Sequence, residues 1–173
     1  MKFKTTILAA LAIGGLLSFT PKSWADEAHT LNNTDSQFVK QAAADGMAEV
    51  KLAELGVQKA ARADVKEFAQ MMIRDHSAAN AELNGLIKSK GIDVSAVIAP
   101  KAAEAFQDLE KQGSGNDFDK AFLKQMKSDH KKVVDEFESE AKDVKDGDLK
   151  AFVDKTLPTV KSHLNMVNDL LNK

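Results

Sequence analysis

The sequence predicts an all-α protein in which four long helices form one bundle with a long crossover connection. First, apolar residues recur with the ~3.6-residue period of amphipathic helices over most of the chain beyond residue 35. Second, a strand pattern is lacking, because the chain has no tyrosine and its β-branched residues do not alternate with polar ones over a useful length. Third, the connections are unequal: two are very short and the middle one is long.

The N-terminus has the features of a secretory signal peptide, which we expect to comprise residues 1–25. Lys2 and Lys4 provide the positive charge, residues 7–17 are apolar or glycine, and the segment ends in the small-residue site 23–25. The apolar run is shorter than the ~20 residues that span a bilayer. We therefore expect a periplasmic or secreted protein without stable membrane insertion after the signal is removed.

Charge and composition limit the function classes. Residues 1–25 carry three lysines and no acidic residue, so their removal changes the net charge from −2 to −5. A mildly acidic chain is a poor partner for nucleic acid, which is bound mainly through neutralisation of phosphates by Lys and Arg. The chain has no cysteine and hence no disulfide, although it is expected in an oxidising compartment. We expect one domain, as a monomer or a weak homo-oligomer with an unknown protein partner.

The first half of the mature chain predicts two helices joined by an almost absent turn. Residues 26–35 are polar and are expected to form a flexible lead-in to a bundle domain of residues 36–173. The first long helix is predicted at 36–60, with Asp35 or Ser36 as its cap. The second is predicted at 63–90 and stops before Gly91.

The second half begins with a long connection, residues 92–116, which contains a short predicted helix at 100–111. The third long helix is predicted at 117–144. The fourth follows a tight turn and is predicted at 148–171, with Asp148 as its cap.

These connections predict the topology. Short turns make each consecutive pair an antiparallel hairpin, and the second helix is about 40 Å long at ~1.5 Å per residue. The long connection is sufficient to cross that whole length. One full-length crossover in the middle of the chain is typical of a ferritin-like bundle rather than of a simple up-and-down bundle.

Each long helix carries one ionisable residue at the centre of its apolar stripe and near its mid-length. On a helical wheel these residues are Glu49, His76, His130 and His163. If the helices pack in register, the four side chains point into one layer of the core. A buried carboxylate is costly without a partner, so Glu49 needs a donor or a cation beside it.

Two interpretations of this layer remain open. The four residues could bind one Zn, Cu or Fe ion, since bundle cores often hold such sites. Alternatively, they form a metal-free polar network that only sets the helix register, in a stress-related or protein-interaction bundle. Three methionines lie about one turn from the core histidines, and thioethers would favour Cu(I), although methionine is also ordinary core filler: these are Met72, Met126 and Met166.

Three aspartates near the layer have open roles. Asp75 and Asp129 precede histidines and could support an imidazole through a hydrogen bond, or they could be exposed. Asp45 lies one turn before Glu49 on the edge of the same stripe and could be a further ligand.

The chain resembles the bacterial family called Domain of Unknown Function 4142, whose members are often labelled predicted outer membrane proteins. The resemblance rests on residues 38–49, 68–76, 118–130 and 157–164, and it covers essentially the whole mature chain. It implies a ferritin-like fold and no established activity. The outer-membrane label finds no support in this sequence.

The di-iron pattern of ferritin-like proteins is incomplete in this chain. Glu49, His76 and His163 match positions of that pattern, which also requires Glu three residues before each of the two histidines. Those positions hold Ile73 and Val160, and the third long helix has a histidine where Glu is expected. A di-iron oxidase is therefore the least favoured hypothesis, whereas a mononuclear site is retained. No catalytic motif indicates an enzyme.

Overall fold

The computed structural model describes residues 31–93 and 100–173, so the predicted signal peptide and residues 26–30 of the predicted lead-in lie outside the described residues. Within these ranges the protein consists of helices and short connections, which confirms the predicted all-α class. The helices are α1 (Asn33–Lys59), α2 (Ala63–Ser89), α3 (Pro100–Lys111), α4 (Asn116–Asp143) and α5 (Gly147–Leu171).

The four long helices have the predicted ferritin-like topology. Helices α1 and α2 pack closely as one hairpin, and α4 and α5 as the other. Helices α2 and α4 run parallel, because Phe68 lies beside Phe122 and His76 lies beside His130. The chain must therefore return along the full bundle between α2 and α4. On this return α3 packs on α1 and α4.

The start of α1 differs from the prediction. The helix begins at Asn33 rather than near Ser36, because Asn32 is the N-cap and its Oδ1 accepts a hydrogen bond of 2.9 Å from the Asp35 backbone N–H. Asp35 is buried in the first turn instead of capping it. The last three residues of the predicted flexible lead-in are thus helical.

The start of α5 also differs from the prediction, by one residue. Asp146, not the predicted Asp148, caps this helix and accepts hydrogen bonds from the backbone N–H groups of Asp148 and Leu149 at 3.1 and 3.0 Å. The ammonium group of Lys90 lies 2.6 Å from Asp146 and 2.9 Å from Asp148. This contact joins the end of α2 to the start of α5.

The turn between α1 and α2 is held by an aspartate from the opposite hairpin. Asp119 in α4 is 1 % exposed and accepts hydrogen bonds of 2.9 Å from the backbone N–H groups of Ala61 and Arg62. These N–H groups at the start of a helix have no intrahelical acceptor, so the carboxylate satisfies them. The same end of the bundle is joined to α3 through Lys59, which donates to the backbone carbonyls of Glu110 and Gln112.

The apolar core is divided into two clusters, and each cluster takes residues from all four long helices. The first cluster contains Leu52, Phe68, Met72, Phe118, Phe122, Leu123, Met126 and Val167 among its buried members. The second contains Val39, Leu83, Ile87, Val133, Phe137, Leu149, Phe152 and Val160. On every long helix, the position that separates the two clusters is the ionisable residue identified in the sequence.

Gly56 allows α1 to approach its neighbours closely. A Cβ atom at this position would lie 2.7 Å from Cζ of Phe122 and 3.0 Å from Cβ of Ala69. A Cβ atom at Gly85, which lies in α2, would have no neighbouring atom within 4 Å.

We expect Gly56→Ala to lower the free energy of unfolding by about 1–2 kcal/mol, because overpacking costs ~1–3 kcal/mol and outweighs the ~0.5–1 kcal/mol that alanine gains in a helix. Gly85→Ala is the matched control and should raise the free energy of unfolding by about 0.5–1 kcal/mol. Urea unfolding followed by far-UV circular dichroism measures both. If the two variants gain equal stability, the close approach at Gly56 is wrong.

A pair of buried carboxyl groups joins α1 to α4 at one end of the bundle. Asp35 and Glu140 are 3 % and 6 % exposed. Burial, and after it the negative charge of Asp35, raises the pKa of Glu140 to about 7.

Because burial raises this pKa from 4.5, the contribution of Glu140 to stability is complete below pH 4.5. That contribution is lost as pH rises through about 7. Wild-type protein should therefore lose stability between pH 4.5 and about 7, and Glu140→Gln should lose less of it. At pH 8 the variant should have a free energy of unfolding about 1 kcal/mol higher than wild type. Urea unfolding at a series of pH values measures this. Asp135→Asn, an exposed change on the same helix, should leave the pH profile unaltered.

None of the helices in residues 31–93 and 100–173 combines the length and apolarity needed to cross a bilayer.

Candidate metal centre

The structure brings the four predicted residues together between the two apolar clusters. Glu49 lies on α1, His76 on α2, His130 on α4 and His163 on α5, and their exposures are 3, 7, 0 and 1 %. The centroids of the three imidazole rings are 5.3–5.5 Å apart. One side chain from each long helix therefore contributes to a single buried polar layer.

Glu49 pairs with two of the histidines. Its Oε2 lies 2.9 Å from Nδ1 of His76, and its Oε1 lies 3.3 Å from Nδ1 of His130. The same Nδ1 of His130 is 2.9 Å from the backbone carbonyl of Met126, one turn earlier on α4. The carboxylate thus has a polar partner on two neighbouring helices.

His163 has a separate carboxylate partner. Its Nε2 lies 3.0 Å from Oδ2 of Asp75, whose side chain is 36 % exposed at the edge of the layer. This contact gives Asp75 one of the roles left open by the sequence, that of supporting an imidazole. Asp129 instead accepts two hydrogen bonds of 2.9 Å from Gln125, the residue one turn before it on the same helix.

Asp45 lies at the rim of the layer rather than among the imidazoles. It accepts hydrogen bonds from Gln41 at 3.0 Å and from Lys132 at 2.9 Å. Its carboxylate therefore has partners on α1 and α4 without contacting a histidine.

The hydrogen bonds assign the tautomer that each imidazole adopts in its neutral form. The bonded nitrogens are Nδ1 of His76, Nδ1 of His130 and Nε2 of His163, and each faces a carboxylate or carbonyl oxygen, which requires an N–H donor. The lone pairs are then on the other nitrogens. These atoms, Nε2 of His76, Nε2 of His130 and Nδ1 of His163, are buried without a hydrogen-bond partner.

The spacing of the rings suits a shared ion after a small contraction. One ring nitrogen from each histidine lies within 4.8 Å of the other two. Three nitrogens bound to one ion at ~2 Å in a trigonal arrangement are about 3.5 Å apart. The nitrogens would therefore have to approach one another by about 1.3 Å to share one ion. Glu49 is not part of this group, since its oxygens face the Nδ1 atoms on the other side of two rings.

The charges of the layer are strongly coupled. Burial opposes the ionisation of Glu49, but the coulombic effects of His76 and then His130, together with the hydrogen bond from His76, lower the pKa of Glu49 to about 2. Burial lowers the pKa of His76, yet the attraction and the hydrogen bond of Glu49 outweigh it, so that this pKa is raised. Burial is the main cause that lowers the pKa values of His130 and His163. These two rings are therefore neutral at pH 7 and keep their lone pairs.

The family model described as a domain of unknown function, DUF4142, matches residues 20–170. No curated protein matches the chain.

Three solved structures share the fold. A DUF305 fragment from Deinococcus radiodurans is 12 % identical with a TM-score of 0.74, covering 83 % of this chain and 98 % of that chain. CopM in the Cu(I)-bound form is 16 % identical with a TM-score of 0.68, covering 80 % and 95 %. A DUF305 protein from Streptomyces coelicolor, named as presumed to be secreted, is 13 % identical with a TM-score of 0.69, covering 80 % and 91 %. At these identities the likeness shows the fold alone.

We expect Glu49→Gln to lower the free energy of unfolding of the chelator-treated protein by about 1–3 kcal/mol, because His76 loses a buried charged partner. Because the pKa of His76 is raised, its contribution to stability is complete below pH 6.5 and is lost as pH rises. Because the pKa of Glu49 is lowered, its contribution to stability is complete above pH 4.5 and is lost as pH falls. The deficit should therefore be largest between these two values. Urea unfolding at pH 3, 5.5 and 8 measures it.

Glu54→Gln is the control, since Glu54 is exposed on the same helix. A deficit of Glu49→Gln that is the same at all three pH values would contradict the ion pair with His76.

Proposed function

The chain belongs to the DUF4142 family, a domain of unknown function, and we propose that this member is an exported protein that binds one transition-metal ion through His76, His130 and His163. One observation carries the proposal: each histidine has an acceptor on one ring nitrogen and a buried, partner-free nitrogen on the other. Metal-bound imidazoles show this arrangement, because the outer hydrogen bond fixes the ring and raises its basicity as a ligand.

In this proposal Glu49 supports His76 through a hydrogen bond and lies beside His130 instead of binding the ion. Its two oxygens face Nδ1 of His76 and Nδ1 of His130, which leaves Nε2 of both rings for the metal. Asp75 does the same for His163 through Nε2. The proposal gives Glu49 a supporting role where the sequence predicted a fourth ligand, and the two carboxylates would compensate the charge of a cation.

Copper, zinc and iron all bind imidazole, and copper is the first ion to test. Met72 and Met126 lie one turn before His76 and His130, in the fully buried part of the first apolar cluster. Thioether sulfur favours Cu(I). A protein of the same fold, CopM, has been solved in a Cu(I)-bound form.

Export rests on the signal features of residues 1–25. The proposed site of action is the periplasm or the exterior, where a bundle without disulfides would hold its ion in the core.

We expect untagged protein purified from the periplasm to contain about one equivalent of a transition metal by elemental analysis. Titration with Cu(I), Cu(II) and Zn(II) in competition with chelators should show one site. Because His130→Ala removes a ligand, it should lower the affinity at least 100-fold, beyond the ~10–100-fold typical of a supporting residue. The matched control is His29→Ala, which changes the remaining histidine of the chain, a residue that precedes the described part of the structure.

Metal should also raise thermal stability, by about 2.7 kcal/mol at a free concentration 100 times Kd. This gain should be absent in His130→Ala and present in His29→Ala. Differential scanning calorimetry with and without metal measures it.

The alternative function is a metal-free bundle whose polar layer sets the helix register. The direct contact of 2.9 Å between Glu49 and His76 favours this alternative, since it satisfies the carboxylate without an ion. The two functions separate in the same experiment. Without a metal function, wild-type protein binds no equivalent, and His130→Ala loses about 1–3 kcal/mol of stability whether or not metal is added.

A further inference from the structure

Two small cavities, each of about 30 Å³, meet at the carboxylate of Glu49. The first lies among the four long helices and is lined by His76, Ala79, Phe152 and Val160 among others. The second lies between α1 and α4, where Ala102 of α3 covers part of it. Asp45, Glu49 and Val133 line both cavities. Each cavity is large enough for at least one water molecule.

The seam between α1 and α4 connects these cavities to solvent through acidic side chains. The side chain of Asp45 is 16 % exposed, and that of Glu136 is 35 % exposed. Asp129 lines the cavity on the other side of Asp45. At the inner end Glu49 is 3 % exposed, and its Oε1 has no hydrogen-bond partner. A row of carboxylates thus leads from the surface to the layer of histidines.

Lys132 places a positive charge at the outer end of the row. Its ammonium group lies 2.9 Å from Asp45 and 3.5 Å from Glu136. Among the described residues that line the two cavities, no other side chain is a lysine or an arginine. Lys132 is half-exposed and has a flexible stem, so it can leave the seam without disturbing the core.

We propose that a hydrated metal cation enters the histidine centre through the α1–α4 seam, with Asp45 and then Glu49 as successive contacts and Lys132 as the side chain that closes the entrance. This inference rests on the proposed metal centre and adds its route of loading. The cation takes the place of the ammonium group beside Asp45. It then contacts Oε1 of Glu49, loses water there, and passes the ring of His76, which lines the inner cavity, to reach the free ring nitrogens. An acidic entrance concentrates cations and raises association rates by ~10–10³-fold.

The seam between α2 and α5 is less suited to this task. Its surface groove is lined by Asp75, Glu82 and Lys155, and neither Glu49 nor a histidine of the layer lines it. Asp75 already has its Oδ2 bound to His163, and Glu82 is paired with Lys155 at 2.6 Å. A cation there would have to displace the partner that orients a ligand.

The test measures the rates of loading and release separately. Association of Co²⁺ with metal-free protein is followed by stopped-flow visible absorbance, release by transfer to excess chelator, and Kd by equilibrium titration. Asp45→Asn should slow association and release by a similar factor, about tenfold, and change Kd less than threefold. The reason is that Asp45 contacts the cation only in passage, and Lys132 pairs with Asp45 before and after.

Lys132→Gln should have the opposite effect and speed both rates, because the entrance then has no competing ammonium group. Two exposed changes serve as charge-matched controls: Glu54→Gln on α1 for Asp45→Asn, and Lys131→Gln on α4 for Lys132→Gln. Both controls should retain wild-type rates. Raising the salt concentration should shrink the differences, since the steering is electrostatic.

Different failures have different meanings. If wild-type protein binds Co²⁺ but Asp45→Asn and Lys132→Gln load at the rates of their controls, the route is wrong and the metal centre stands. If Asp45→Asn weakens Kd as much as it slows association, Asp45 is a ligand and not a passage residue, which also overturns the route. If wild-type protein binds no Co²⁺, Cu or Zn, the centre itself is wrong and the route falls with it.

Discussion

The architecture depends on the burial of one carboxylate, that of Glu49, in the middle of an otherwise apolar bundle. A carboxylate in such a place is costly unless donors surround it. His76, on α2, provides a donor at 2.9 Å, and Nδ1 of His130, on α4, lies 3.3 Å from the second oxygen while it donates to the Met126 carbonyl. A shift of either helix by one turn, ~5.4 Å, would leave the carboxylate facing apolar side chains. The polar layer therefore selects one register of three helices, whereas apolar contacts alone would tolerate several.

The crossover determines which helices meet around this layer. Because α2 and α4 run parallel and lie on opposite sides of α1, Glu49 contacts both at once, while His163 comes from the helix diagonal to α1. His163 does not pair with Glu49 in this way, and its partner is Asp75 from α2. The arrangement leaves one free nitrogen on each ring, and it does so with only two carboxylates.

The sequence predicted the class, the crossover and the four residues of the layer because each depends on a local period. A residue at the centre of an apolar stripe and near mid-helix reaches the same height whether its helix runs up or down, so its place in the layer needs no knowledge of topology. The local period could not predict which of the two neighbouring aspartates supports a histidine. Whether Asp75 or Asp129 supports a histidine depends on side-chain rotation and on Gln125, which binds Asp129.

Contacts between residues far apart in the chain were missed for a related reason. Asp119 binds the α1–α2 turn across 57 and 58 residues, and Asp35 meets Glu140 only after both hairpins have docked. Neither carboxylate departs from the helix pattern in its own segment. The predicted caps were wrong by three or four residues at Asn32 and by two residues at Asp146, because several Asp, Asn and Ser residues adjoin each helix start and all of them are suitable caps.

The division of the core into two apolar clusters has a consequence for how the molecule opens. Each cluster draws on all four long helices, so neither half is the property of one hairpin. Local unfolding of one half would leave the other packed, with the polar layer as the boundary between two cooperative units. Amide hydrogens on the two sides of the layer would then exchange with separate opening energies. An ion bound by histidines from three helices would merge the two units into one, since opening on either side would have to break the same coordination sphere.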